Sequence, residues 1–271
     1  MNTEQSQSPA SELVISTHGA VRILAMNRPQ TKNGLTLELL SALVEALQAA
    51  KSDESIRAVM LTGRGEAFSS GLDFKAAMHL VQSGDSDFVE QTERRMRDYF
   101  HAAVRALIAL PKPVIAFLDG VAAGFGCDLA LACDLRIGTR RARVGEIFIK
   151  RGLMPDGGGT YTLPRLVGLG RAFDLMLTGD IVEAEEAQRI GLLSRIVEGE
   201  AEALAFAERI AAGPPLVMAE IKQAVYAGLG QSLDAALENE VRGQLKLLRS
   251  QDFMEGVSAF FMKRPPQFTG Q

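Results

Sequence analysis

The sequence predicts an α/β fold, a sheet whose strands are joined by helical crossovers. Three observations carry this. The runs Ile56 to Leu61 and Val114 to Leu118 are short and almost continuously apolar, as in strands buried on both faces. Segments of helical spacing alternate with such strands along the chain. Glycine follows each run closely, at Gly63 and Gly65 and again at Gly120, and marks a sharp turn at the strand end.

Residues 1–12, MNTEQSQSPASE, are polar, lack an apolar leader core and read as a flexible tail. Leu13 to Ser16 and Val21 to Met26 form a hairpin across Thr17-His18-Gly19-Ala20, ended by Asn27-Arg28-Pro29. Thr36 is placed to cap a helix from Leu37 to about Ala50, with Leu40, Leu43 and Leu47 on one face. After the strand at Ile56 comes AFSSGLDF, Ala67 to Phe74. Its Gly71 permits close backbone approach, and the N–H groups of Leu72 and Asp73 are left free. Asp87 to Leu110 has helical spacing, and Pro111-Lys112-Pro113 stops it.

Beyond the strand at Val114, Gly124-Phe125-Gly126 opens an apolar run whose Ala, Leu and Cys favour helix, with Asp128 in its first turn. Asp134 to Thr139 and Arg143 to Phe148 read as strands. Gly152 to Thr160, GLMPDGGGT, is a glycine-rich loop that carries Asp156. A helix from Thr160 is expected to break near Pro164, and another runs from Arg171 to Leu177. Glu183 to Ile190 is a short helix capped by Gly191 and leading into Leu193 to Val197. Helices follow at Glu200 to Ala212, Pro215 to Leu229, Leu233 to Leu248 and Phe253 to Met262. The expected organisation is a tail (1–12), an α/β core (13–200) and a helical region (201–271).

Composition excludes several classes of function. With a net charge of −4 and scattered Lys and Arg, the chain has no nucleic-acid footprint. No apolar run approaches the roughly 20 residues of a membrane span, so a cytoplasmic, soluble protein is expected. Cys127 and Cys133 fall on one helix, about 9 Å of rise apart, too far for a disulfide. They read as buried thiols in a reducing compartment. With no His cluster beside them, no metal site is expected. Gly124-Phe125-Gly126 begins like a dinucleotide fingerprint, but Leu129 stands where the third glycine belongs. Ser69 and Ser70 lack a G-x-S-x-G frame, and surface roles are expected for His18, His79 and His101.

The chemistry that survives is carbonyl chemistry. Two strand-to-glycine segments, at Gly71-Leu72 and Gly124-Phe125, can each offer one unpaired backbone N–H. A helix start adds partial positive charge to the second. A pair of such donors stabilises charge on a carbonyl oxygen and lowers the cost of removing a proton from the neighbouring carbon. A carboxylate is then required as base, and Asp128 and Asp156 are the candidates. Each also has an ordinary structural role, Asp128 as a dipole-satisfying residue in a first helical turn and Asp156 as a turn former.

Six segments in order resemble the crotonase superfamily, the enoyl-CoA hydratases and isomerases, from about Leu13 to Gly270. They are NRPQTKNGLT, AFSSGLDFKA, GVAAGFGCDLALACDLRI, GLMPDGGGTYTLPRLVG, EAEEAQRIGLLSRIV and FFMKRPPQF. The resemblance implies a spiral of repeated ββα turns with a helical C-terminal trimerisation region, assembled as a trimer or a pair of trimers. It implies a substrate carried as a coenzyme A thioester, without a separate cofactor, whose enolate is held by the N–H groups of Leu72 and Phe125. Ser70, Leu72, Asp73 and Phe74 would line the adenine and pantetheine path, with Lys32 near the nucleotide. Phe261 and Lys263 resemble residues that reach the CoA of a neighbouring subunit.

Departures from the family pattern bear on the reaction. In the hydratases two glutamates straddle the double bond and handle one water. Here Asp128 stands at the first position and Phe148, which cannot transfer a proton, at the second. Asp156 matches the position where several isomerases of the family, including the phenylacetate-pathway type, carry a catalytic Asp. Dienoyl-CoA isomerases similarly have acids at the positions of Asp128 and Asp156, although they also carry one where Phe148 stands. The expectation is therefore an enoyl-CoA isomerase with Asp156 as acid/base and Asp128 in support. The alternatives are a hydratase or acyl-CoA hydrolase using Asp128 and Glu146, and a non-catalytic CoA-ester binder. Glu146, two residues before Phe148 in the expected strand, would share its face.

Overall fold

A computed structural model describes residues 11–73 and 87–271. Phe74, His79 and most of the expected tail lie outside them. The elements begin with strands β1 (Leu13–His18) and β2 (Val21–Met26), helix α1 (Leu37–Ser52), and strands β3 (Ala58–Gly63) and β4 (Ala67–Ser69). Helices α2 (Phe88–Arg95) and α3 (His101–Ala109) follow, joined by a π-helical turn at Met96–Phe100. Then come β5 (Val114–Leu118), β6 (Val121–Ala123), α4 (Phe125–Ala132), β7 (Leu135–Gly138) and β8 (Arg143–Gly145). After a 3-10 turn at Ile147–Arg151 the chain forms α5 (Gly159–Val167), α6 (Leu169–Thr178), β9 (Val182–Glu183), α7 (Ala184–Arg189) and β10 (Arg195–Ile196). The helices α8 (Glu200–Ala211), α9 (Pro215–Gly228), α10 (Leu233–Leu247) and α11 (Gln251–Met262) complete it.

Among the described residues the strands make two sheets, β1-β2-β3-β5-β7-β10 and β4-β6-β8-β9. Consecutive turns of chain give one strand to each: β3 then β4, β5 then β6, β7 then β8. This is the expected α/β spiral of ββα units. Except for the antiparallel β1-β2 hairpin, the pairs of the large sheet are parallel, with Val21 opposite Ala58 and Ile115 opposite Leu135.

The period of two along a strand explains why the buried runs are continuous. Val59 and Leu61 of β3, with Val114, Ala116 and Leu118 of β5, face a core filled by Leu39, Leu40, Leu43 and Leu47 of α1 and by α4. Ala58, Met60, Ile115 and Phe117 face the other way, against Ala203, Ala207 and Ala211 of α8. Thr36 caps α1 by accepting the N–H of Leu39 at 3.0 Å, as expected.

Two local expectations need correction. Pro164 does not break its helix: α5 runs through it at the sixth of its nine residues, the lost backbone bond being offset by the packing of Leu163 in the core. The strand at Arg143 ends at Gly145, so Glu146 and Phe148 do not share a strand face; Phe148 lies in the 3-10 turn. The segment before Gly124 is the strand β6, in keeping with the strand-to-glycine reading.

The last three helices project from the core, and α9 is pinned to it by one buried cation. Lys222 Nζ donates to Asp134 Oδ2 at 2.8 Å and to the carbonyl of Leu107 at 2.9 Å. The remaining faces expose large apolar side chains, including Leu237, Val241, Phe260 and Phe261. No helix among the described residues is long and apolar enough to cross a membrane.

Candidate active site

The NRPQTKNG stretch forms a buried clasp beneath the site. Asn33 is fully buried; its amide donates to the carbonyls of Ala67 at 2.7 Å and Arg64 at 2.9 Å, and its Oδ1 accepts the N–H of Arg28 at 2.9 Å. The hydroxyl of Ser69 donates to the Asn33 carbonyl at 2.8 Å and accepts the Gly71 N–H at 3.1 Å. The clasp fixes the end of β4, and with it the first predicted donor.

Leu72 forms a parallel bridge with Leu35. The Leu35 N–H donates to the Gly71 carbonyl at 2.8 Å, and Asp73 N–H donates to the Leu35 carbonyl at 3.0 Å. The N–H of Leu72 therefore points to the opposite side, where no described residue accepts it. Phe125 is the first residue of α4, and its N–H has no acceptor within the helix. The segments touch: a carbon added at Gly71 (φ +94°) would lie 2.8 Å from the Ala123 carbonyl and 3.4 Å from the Phe125 nitrogen. Gly124, at φ 54° and ψ −130°, makes the turn from β6 into α4 that only glycine adopts readily. Two unpaired donors from separate strand ends are thus brought side by side.

Among the described residues, three carboxyl groups lie behind these donors. Asp128, one turn into α4, is buried, and its Oδ2 accepts the Gly157 N–H at 2.8 Å. Burial raises its carboxyl to about 7, against the opposing effect of that N–H. Asp156 is half-buried in the glycine loop, with Oδ1 unpartnered among the described residues. Burial lifts it to about 6, while a backbone N–H and the nearby His101 pull it down. Glu146 is buried immediately after β8, and burial together with the Asp128 charge pushes it well above the usual carboxylate range. Phe148 is buried nearby, its ring 4.0 Å from the Gly124 Cβ position. The ring of Phe100 packs on Phe125 at 5.0 Å between centroids.

Sequence reasoning assigned His101 a surface role; instead its Nε2 lies 3.0 Å from the Asp156 carbonyl and the ring is half-buried. The sequence cue was its place in the long helical segment from Asp87 to Leu110. His18 does lie at the surface, 2.8 Å from Glu208.

The residues expected on the CoA path fall into two groups. Ser70, Leu72 and Asp73 adjoin the first donor. The Ser70 hydroxyl donates to the Thr31 carbonyl at 3.0 Å, and Asp73 pairs with Arg28 at 2.8 Å. Exposed Lys32, in left-handed conformation at φ 53°, accepts the Ser70 N–H on its carbonyl at 2.9 Å. Phe261 and Lys263, by contrast, are exposed at the end of α11, with no described hydrogen bond to any of these residues. Among the described residues no cluster of His, Cys, Asp and Glu is arranged to hold a metal ion.

Residues 16–271 match the family model described as enoyl-CoA hydratase/isomerase. The chain is 39% identical over 254 residues to the 1,2-epoxyphenylacetyl-CoA isomerase of Escherichia coli, covering 93% of this chain and 95% of that protein. It is 36% identical over 264 residues to the 2,3-dehydroadipyl-CoA hydratase of the same organism, covering 96% and 100%. The crystal structure of an enoyl-CoA hydratase from Bacillus anthracis superposes with a TM-score of 0.89 at 32% identity, covering 96% of this chain and all of that one. The chain is therefore similar to relatives named for both addition of water and isomerisation.

Proposed function

Because the chain belongs to the enoyl-CoA hydratase/isomerase family of enzymes acting on acyl-CoA thioesters, we propose that it is an isomerase that shifts a double bond within such a thioester. One observation carries this reading: Asp156 is the carboxyl group with partial exposure, whereas Glu146 and Asp128 are 2% and 1% exposed and Phe148 fills the remaining position. A group that must exchange a proton with a bound substrate has to be reachable by it.

In the proposed reaction the thioester carbonyl oxygen accepts the N–H groups of Leu72 and Phe125. Asp156 removes a proton from a carbon conjugated through the carbonyl, and the electron pair moves onto that oxygen as the enolate. The same carboxyl group, now protonated, returns the proton to a different carbon, and the double bond is displaced. Nothing is added or lost, and the buried Phe148 keeps water from the enolate. Asp128 supports the loop that carries Asp156. The step needs no resident cofactor. Ser70 and Asp73 already spend their side chains on Thr31 and Arg28, so their part in holding CoA falls to backbone groups.

Turnover of enoyl-CoA thioesters in deuterated, oxygen-18-labelled water tests the reading. Isomerisation displaces the double bond with no solvent oxygen in the product, and solvent deuterium enters carbon only to the extent that the Asp156 proton exchanges with water before it is returned; hydration or hydrolysis incorporates the oxygen. The D156N variant should bind the thioester and lose isomerisation. Full activity in D156N, or labelled oxygen in the product, rejects the assignment. A pure CoA-ester binder would show no exchange at any carbon.

A further inference from the structure

Behind the reactive carboxyl group lies a second acid that the double-bond shift leaves unused. Neither oxygen of Glu146 has a hydrogen-bond partner among the described residues, and Asp128 Oδ1 is in the same condition. These oxygens crowd one point: a carbon added at Gly159 would collide with Asp128 Oδ1 and lie 2.8 Å from Glu146 Oε1. Two ionised carboxylates cannot both persist in such a place, since each lacks water and stands in the other's field. A proton on one of them removes the repulsion and supplies the missing donor.

The asymmetry of the surroundings says which one holds it. Asp128 has an amide donor, the Gly157 N–H at 2.8 Å, and Glu146 has none. Anionic charge is therefore better tolerated on Asp128. The other groups facing the pair are the Cys127 thiol on α4, with Arg136 of β7 beyond it, Asp156 in the glycine loop, and His101 of α3 behind that loop. A buried thiol supplies no competing charge, because burial holds Cys127 far above its usual range.

We propose that Glu146 and Asp128 share a single proton, Glu146 donating its O–H to Asp128 Oδ1, and that Glu146 is thereby a positioning residue acting through Asp128. The proposal rests on the reading of Asp156 as acid/base. Asp128 spans the two halves of the site, since its own helix starts with the donor Phe125 and its Oδ2 holds the residue that follows Asp156. Satisfying Oδ1 from Glu146 fixes the rotamer from which Oδ2 reaches the loop. The distance between the oxyanion donors and the base then depends on a proton that never enters the reaction.

Infrared difference spectra of wild type and E146Q at about pH 8, where Asp156 is ionised, read that proton directly. The expected result is a protonated-carboxyl C=O band in the wild type that E146Q removes. Kinetics supply the second arm. E146Q keeps a donor and should stay within about threefold of wild-type kcat, whereas E146L, similar in bulk but without a donor, should lose tenfold or more in kcat at unchanged KM. Absence of the wild-type band, or equal activity of E146L and E146Q, overturns the proposal. Should E146Q fail to fold, the wild-type spectrum decides alone: a band that persists at this pH supports the shared proton and its absence excludes it. The band does not depend on turnover, so it tests this inference even if D156N proves active.

Discussion

Replacing Asp128 by Asn should stabilise the protein at alkaline pH while lowering its activity. The carboxyl group is raised by burial from 3.8 to about 7 on folding. That gap corresponds to ~4 kcal/mol of cost for ionising the group inside the fold. The sign follows from proton counting. Between the two values the folded state binds more protons than the unfolded one, so stability is fully present below 3.8 and declines as pH rises through about 7. Asn still accepts the Gly157 N–H but has nothing to ionise. The gain of ~4 kcal/mol is a ceiling, because Glu146 titrates more readily once its anionic neighbour is gone. Urea unfolding of wild type and D128N at about pH 5 and about pH 8.5, at one protein concentration, gives the difference directly. D128N should gain ground on wild type between the two conditions while losing kcat, the exchange of stability for function expected of a strained site. A stability difference that is the same at both pH values, or that moves against D128N as pH rises, would refute the reasoning.

The acid limb of kcat/KM should fall near pH 6, where Asp156 titrates, and H101A should move it upward by removing a group that holds Asp156 down. Initial rates across pH check both. G71A places a carbon 2.8 Å from the Ala123 carbonyl on a backbone at φ +94°; kcat should drop at least ~10-fold as the Leu72 N–H is displaced, measured beside a thermal melt. K222M leaves Asp134 without its buried cation and should cost about 3 kcal/mol in urea unfolding, loosening α9 from the core. The exposed Phe260 and Phe261, 80% and 77% accessible in a single chain, should be covered in a trimer or dimer of trimers. Sedimentation of wild type against a Phe260→Asp, Phe261→Asp variant tests this, with dissociation expected in the variant.

Much of the fold was legible because period and punctuation are local. The alternation of Val59 and Leu61 with Ala58 and Met60 writes a strand buried on both faces, and Thr36 writes the start of α1. Phe125 and Leu72 were legible for the same reason, since a helix start after Gly124 and a strand end after Gly71 free their N–H groups whatever lies around them. Pro164 was misread because the packing of Leu163 outweighs one missing bond, and no local rule records that.

What the sequence determined by itself was the list of parts: strands, donors, candidate acids and the family pattern that orders them. What only the tertiary structure decided was their electrostatics. His101 was set aside, yet it lies 3.0 Å from the Asp156 carbonyl, and Glu146 proves buried against Asp128 instead of sharing a strand face with Phe148. A carboxyl group's ionisation is fixed by the water it loses and the charges it meets, and residues 18 and 28 positions from Asp128 meet it only once the chain has closed on itself.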